Sequence, residues 1–163
     1  MRIIPTSRAP AFKAALTWSL WSMLPPAAPA ATPPGDACSL FTATEVSGVL
    51  GVTVPDGQHP IASSLLLCGW APSGDPQIGG KHLLVSLMTE RAFEVGKTPQ
   101  QGIVKTPVSD VGDDAYYVSA GGLGTALSIK KGGTYVQIRI GGFPARKEKE
   151  LEKALAVQML ARL

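Results

Sequence analysis

The stretch "TALSIKKGGTYVQIRIGG", residues 125 to 142, leaves the chain very little conformational choice. Two runs of alternating polarity flank Gly132-Gly133, a pair that tolerates positive φ at both central positions of a two-residue hairpin turn. Counting outward from the turn sets Lys131 opposite Thr134, Ile129 opposite Val136 and Leu127 opposite Ile138. On the other face Lys130 meets Tyr135 and Ser128 meets Gln137. Apolar residues therefore oppose apolar ones and polar oppose polar, and a slip of one residue destroys both matches. The preceding run "DAYYVSA" (114 to 120) predicts a strand that pairs with this hairpin through the "GGLG" turn.

Two more segments read as strands, "PIASSLLLCGW" (60 to 70) and "KHLLVSLM" (81 to 88). In the first, a period of two puts Leu66, Cys68 and Trp70 on one face; in the second both faces are mostly apolar, which suits a central strand. Between them "APSGDPQIGG" is too rich in proline and glycine for either regular element. "TERAFEVGK" (89 to 97) predicts a short helix or irregular turn, followed by a proline-bearing connection to Ile103.

Helix signals stand at both ends of this region. Thr42-Ala-Thr-Glu45 fits a capping box, with Phe41 and Val46 placed to form a hydrophobic staple. Val46, Val49 and Leu50 make a buried stripe that Gly51 terminates. At the C-terminus "PARKEKELEKALAVQMLARL" repeats Leu151, Leu155, Met159 and Leu163 at four-residue spacing, widened by Ala154, Ala156 and Leu160. Its polar face mixes both charge signs, as a helix packed on a sheet does and a membrane-surface helix does not. The expected fold class is α+β: a mainly antiparallel sheet of about five strands with the N-terminal and C-terminal helices packed on one face.

Ahead of this domain, residues 1–30 read as a signal peptide. Arg2, Arg8 and Lys13 give a positive start, "AALTWSLWSML" (14 to 24) gives an apolar run too short to span a bilayer, and Ala28-Pro29-Ala30 gives a cleavage site. Residues 31–35 lack any packing pattern and are expected to be a disordered linker, leaving 36–163 as a single α+β domain. The chain carries 15 Lys and Arg against 12 Asp and Glu, and three of the basic residues leave with the signal. The remainder is formally neutral and has no basic stripe, so no nucleic acid is expected as a partner. No stable membrane insertion is expected after cleavage. The expected location is periplasmic or secreted. The absence of asparagine excludes N-glycosylation.

The cysteines, Cys38 and Cys68, are the only two in the chain. Gly35-Asp36-Ala37 before Cys38 is not a lipidation context, because the apolar run already ended at Leu24. A thiolate nucleophile needs a base, and a metal site needs about four closely spaced ligands; the histidines, His59 and His82, are scattered and supply neither pattern. Two cysteines in an exported chain predict a Cys38–Cys68 disulfide.

Several fragments imitate catalytic motifs. Ser128-Ile-Lys-Lys131, "SDV" at 109 and "KGG" at 131 resemble the elements of penicillin-recognising enzymes, but the serine lies on a strand, not at a helix start, and the order is wrong. "GGLGTA" (121 to 126) lacks the third glycine and the helix of a dinucleotide site. Asp110, Asp113 and Asp114 read as a turn that initiates a strand, with a hard-cation or acid–base role as the alternative. Tyr116, Tyr117, Tyr135 and Phe143 do not all fit in a core if their strands alternate, so Tyr116, Tyr117 and Tyr135 are candidates for a ligand groove. No catalytic residue, metal or cofactor is expected.

At "CSLFTATEVSGVLG", "CGW", "VSDVGDDAYY" and "LSIKKGGTYVQIRI" the chain resembles a family of uncharacterised bacterial exported proteins and lipoproteins. Their domains of unknown function open with Cys-x-Leu-Leu-Thr, Glu-Val and Leu-Gly, and carry a second cysteine closely followed by an aromatic. The resemblance covers most of residues 36 to 163 and implies an α+β sandwich and a paired Cys38 and Cys68. Many relatives have a lipobox, which this chain lacks. The functional expectation is a non-catalytic binding or accessory protein of the cell envelope, recognising an unknown protein or envelope ligand on the sheet face free of helices. The alternatives are an inhibitor of an envelope-directed hydrolase, inserting "GGLG" or "PSGDPQIGG", or a small hydrolase using His59 or His82.

Overall fold

The Gly132-Gly133 hairpin forms in the predicted register, with Lys131 opposite Thr134, Ile129 opposite Val136 and Leu127 opposite Ile138. Gly132 supplies a φ of +54° at the turn. In the computed structural model, which describes residues 34–73 and 80–163, this hairpin is the centre of a six-stranded antiparallel sheet. The strands are β1 (Leu67–Trp70), β2 (His82–Leu87), β3 (Val104–Pro107), β4 (Asp114–Ser119), β5 (Thr125–Lys131) and β6 (Thr134–Gly141), in the order β1-β2-β6-β5-β4-β3. The helices are α1 (Ala43–Leu50), α2 (Glu90–Lys97) and α3 (Ala145–Leu160), with a 3-10 turn at Ala37–Leu40. The expected signal, most of the linker and the centre of the 71–80 loop lie outside the described residues.

The fold is α+β, with six strands where about five were expected. The extra strand is β3, which begins just past the proline-bearing connection to Ile103, in a stretch given no element. It is an edge strand with Val104 exposed and Pro107 at its end, so it carries neither alternation nor a buried face to betray it. The strand expected over residues 60 to 70 is confined to Leu67–Trp70; Leu65 and Leu66 precede it and are exposed. Cys68 and Trp70 face the core as the period of two requires.

α1 begins as its capping box predicts. Thr42 Oγ1 accepts from the Glu45 N–H at 3.3 Å, and Glu45 Oε2 accepts from the Thr42 N–H at 2.8 Å. That backbone hydrogen bond, helped by Arg162, holds the Glu45 carboxyl below its usual range. Arg162, just past α3, donates to Glu45 Oε1 and to the Leu40 carbonyl, each at 2.9 Å, and so ties the end of α3 to the start of α1. The Cys38–Cys68 disulfide is formed and fastens the 3-10 turn to β1.

α1 and α3 cover one face of the sheet. Val46 and Leu50 from α1 and Leu155, Ala156 and Met159 from α3 bury against Trp70, Leu83, Val85, Leu127, Ile129, Val136, Ile138 and Ile140. α2 lies on the other face, where Phe93 stacks against Tyr116 and Tyr135 with ring centres 5.2 and 5.6 Å apart. Thr89 caps α2 by accepting from the Ala92 N–H at 3.1 Å. No helix among the described residues is long and apolar enough to cross a membrane.

Candidate functional site

The spacing that carries Leu155 and Met159 of α3 into the core also carries Glu152 and Glu148, one and two turns earlier, toward the end of the sheet. Glu152 is completely buried at 0% exposure. Its Oε1 accepts from the Ile140 N–H and its Oε2 from the Thr125 hydroxyl, both at 3.1 Å. Burial pushes its carboxyl up to about 7, against the pull of those two hydrogen bonds. Glu148 raises it further and Arg139 opposes.

Glu148 is 5% exposed, and its Oε2 has no hydrogen-bond partner among the described residues. The turn between β4 and β5 roofs it. Gly124 adopts a φ of +81°, and a Cβ there would stand 3.1 Å from Glu148 Oε2, so glycine meets both the backbone and the space requirement. Arg139 Nη2 holds this turn by donating to the Leu123 carbonyl at 2.7 Å. Leaving a buried acceptor unpaired costs roughly 1–3 kcal/mol, more for a charged group.

Clefts open on both sides of that carboxylate. One, of about 430 Å³, is bounded by Ser119, Gly121, Thr125, Phe143, Glu148 and Lys149. The other, of about 320 Å³, is bounded by His82, Leu84, Arg139 and the same glycine turn. A larger groove of about 950 Å³ runs along the outer side of α3 past Tyr117, Arg146, Lys153 and Val157, and shares Lys149 with the first cleft. The start of α3 adds polarity of the opposite sign, since Pro144 offers no side-chain cap to the orphaned N–H groups of the first turn.

The three tyrosines do not line a common groove. Tyr116 and Tyr135 lie on the α2 face. Tyr116 is buried and donates to the Phe93 carbonyl at 2.9 Å, while Tyr135 packs between Phe93 and Lys130. Tyr117, the next residue along β4, points to the opposite face because side chains alternate. It donates to the Lys149 carbonyl at 2.6 Å, and burial pushes its hydroxyl up to about 12. Only Tyr117 of the three borders one of these clefts.

The remaining sequence candidates hold structural positions. Asp110 occupies a left-handed turn at φ +64°. Asp113 accepts from the Gly132 N–H at 2.6 Å and pairs with Lys131 at 3.2 Å, contacts that hold its carboxyl below the usual range. Asp114 pairs with Lys97. His59 Nδ1 lies 2.8 Å from the Leu67 carbonyl, with Nε2 3.5 Å from Asp36. Asp36, Cys38 and His59 bring ligand atoms within 4.8 Å of one another, but the Cys38 sulfur is committed to the disulfide. His82 Nδ1 lies 2.9 Å from the Gly80 carbonyl.

Sequence reasoning missed the Glu148–Glu152 pair. The signal was present, because extending the Met159–Leu155 stripe back toward the N-terminus lands on both acids. Charged residues are read as solvent-facing by default, and that default concealed them. No known family model, curated protein or solved structure matches the chain.

Proposed function

We propose that this chain is an exported, non-catalytic binding module of the bacterial cell envelope, and that it takes its ligand where the Gly121–Gly124 turn meets the start of α3. The observation that carries the reading is the unpartnered Oε2 of Glu148, buried between two clefts. The disulfide and the resemblance to exported bacterial proteins support the location. Glu152 supports binding over catalysis: it has no solvent-exposed surface and both its oxygens accept internal hydrogen bonds, so it joins α3 to Ile140 and Thr125 without meeting a substrate. Thermal melts of the purified protein and of Glu148→Gln against fractionated envelope material test this. At least one fraction is expected to raise the melting temperature of the parent and not that of the variant; no such fraction refutes the reading.

A second reading, an inhibitor of an envelope hydrolase, is favoured by Leu123, which stands 72% exposed at the tip of the same turn. Its carbonyl is anchored by Arg139. Inhibition of lysozyme or an envelope protease that Leu123→Ala abolishes would select this reading over the first.

A further inference from the structure

The first cleft beside Glu148 combines three features that no single-charged ligand satisfies together. On one side stands a carboxylate oxygen that lacks a donor. On the other stand Lys149, whose Nζ lies over the Tyr117 ring 5.3 Å from its centre, and Ala145, at the start of a sixteen-residue helix whose first N–H groups have no side-chain cap. Between them lie an apolar wall, Phe143, and the glycine turn that roofs Glu148. From this we infer that the cleft receives a small α-amino acid, a zwitterion whose ammonium and carboxylate are one carbon apart.

The inference rests on the binding reading above and specifies its ligand. The ammonium donates to Glu148 Oε2 and supplies the partner that this buried acceptor lacks. The carboxylate meets Lys149 and the positive end of α3, where anions are stabilised. Glu148 and Lys149 both border this cleft, so the two charges of one ligand can be met from its two sides. A bare divalent cation fits less well, since Lys149 borders the same cleft and Arg139 borders the cleft on the other side of Glu148. Gly124 keeps the roof thin at the point where a side chain would meet Glu148. Glu148 Oε2 is covered in this structure, so binding requires the Gly121–Gly124 turn to shift.

Calorimetric titration of the purified protein with L-alanine, methylamine, acetate and calcium chloride tests the assignment. Alanine is expected to bind at least about tenfold more tightly than methylamine or acetate. Glu148→Gln is expected to weaken alanine by about thirtyfold or more. Lys149→Ala, at a partly exposed position and checked for folding by its melting temperature, is expected to weaken alanine about tenfold and leave methylamine unchanged. Methylamine binding as tightly as alanine, equal alanine binding by parent and Glu148→Gln, or Glu148-dependent calcium binding tighter than alanine would each overturn the assignment. If alanine fails to bind while an envelope fraction still shifts the melt in a Glu148-dependent way, the ligand class is wrong and the binding reading stands. If neither occurs, both fall.

Discussion

Replacing Glu152 by glutamine tests the energetics of the buried sheet end directly. A carboxyl that releases its proton at about 7 in the folded protein, against 4.5 for an unperturbed glutamate, disfavours its charged form by roughly 3 kcal/mol, at about 1.4 kcal/mol per tenfold change. The folded state binds this proton more tightly than the unfolded chain, so the stabilisation is complete below pH 4.5 and is lost as pH rises to about 7. Burial by the sheet sets this value above all, the hydrogen bonds from Ile140 and Thr125 oppose it, and the charges of Glu148, which repels, and Arg139, which attracts, act on it less strongly. Tyr117 feels the same carboxylate and does not titrate in that range. Glutamine keeps the shape, with its carbonyl accepting from Ile140 N–H and its amide donating to the Thr125 oxygen. Glu152→Gln should therefore match the parent near pH 4.5 and exceed it at pH 8 by roughly 3 kcal/mol, about 10 °C in melting temperature for a domain of this size. Urea unfolding of both proteins at pH 5 and pH 8 measures the difference. Glu45 and Asp113, whose carboxyls are lowered, titrate below this window and do not blur it. A variant less stable than the parent at pH 8, or a difference independent of pH, would refute the argument that the charge at Glu152 is held at a cost.

Other outcomes follow from local geometry. Reducing Cys38–Cys68, which closes a sequence separation of 30 residues, should cost about 3–4 kcal/mol, read as a lower urea midpoint in the presence of a phosphine reductant. Thr42→Ala removes the cap on α1 and should cost about 1 kcal/mol by the same measurement. Gly57→Ala would set a Cβ 2.5 Å from the Trp70 ring and 2.6 Å from the Cys68 sulfur; with Trp70 buried and Cys68 tethered, a loss of roughly 1–3 kcal/mol and a changed tryptophan fluorescence are expected.

The amino-acid pattern by itself determined whatever depended on neighbours in the chain or on a period of two. The hairpin register, the Thr42–Glu45 cap and the α+β class all follow from alternation, turn chemistry and capping, which act within a few residues. The Cys38–Cys68 pairing was legible for another reason, since two cysteines allow one intramolecular partner each. Tertiary structure decided what depended on which surface an element meets. β3 became a strand only because β4 offered it an edge, since its four residues are mostly exposed and show no alternation toward the core. Tyr116 and Tyr117 were parted onto opposite faces, and α2 rather than a ligand covered the first of them. The Glu148–Glu152 pair was decided in the same way. A glutamate two turns before a leucine reads as a solvated residue until a glycine turn, a strand terminus and the Thr125 hydroxyl close over it, and desolvation, which is set by those distant segments, is what gives the pair its chemistry.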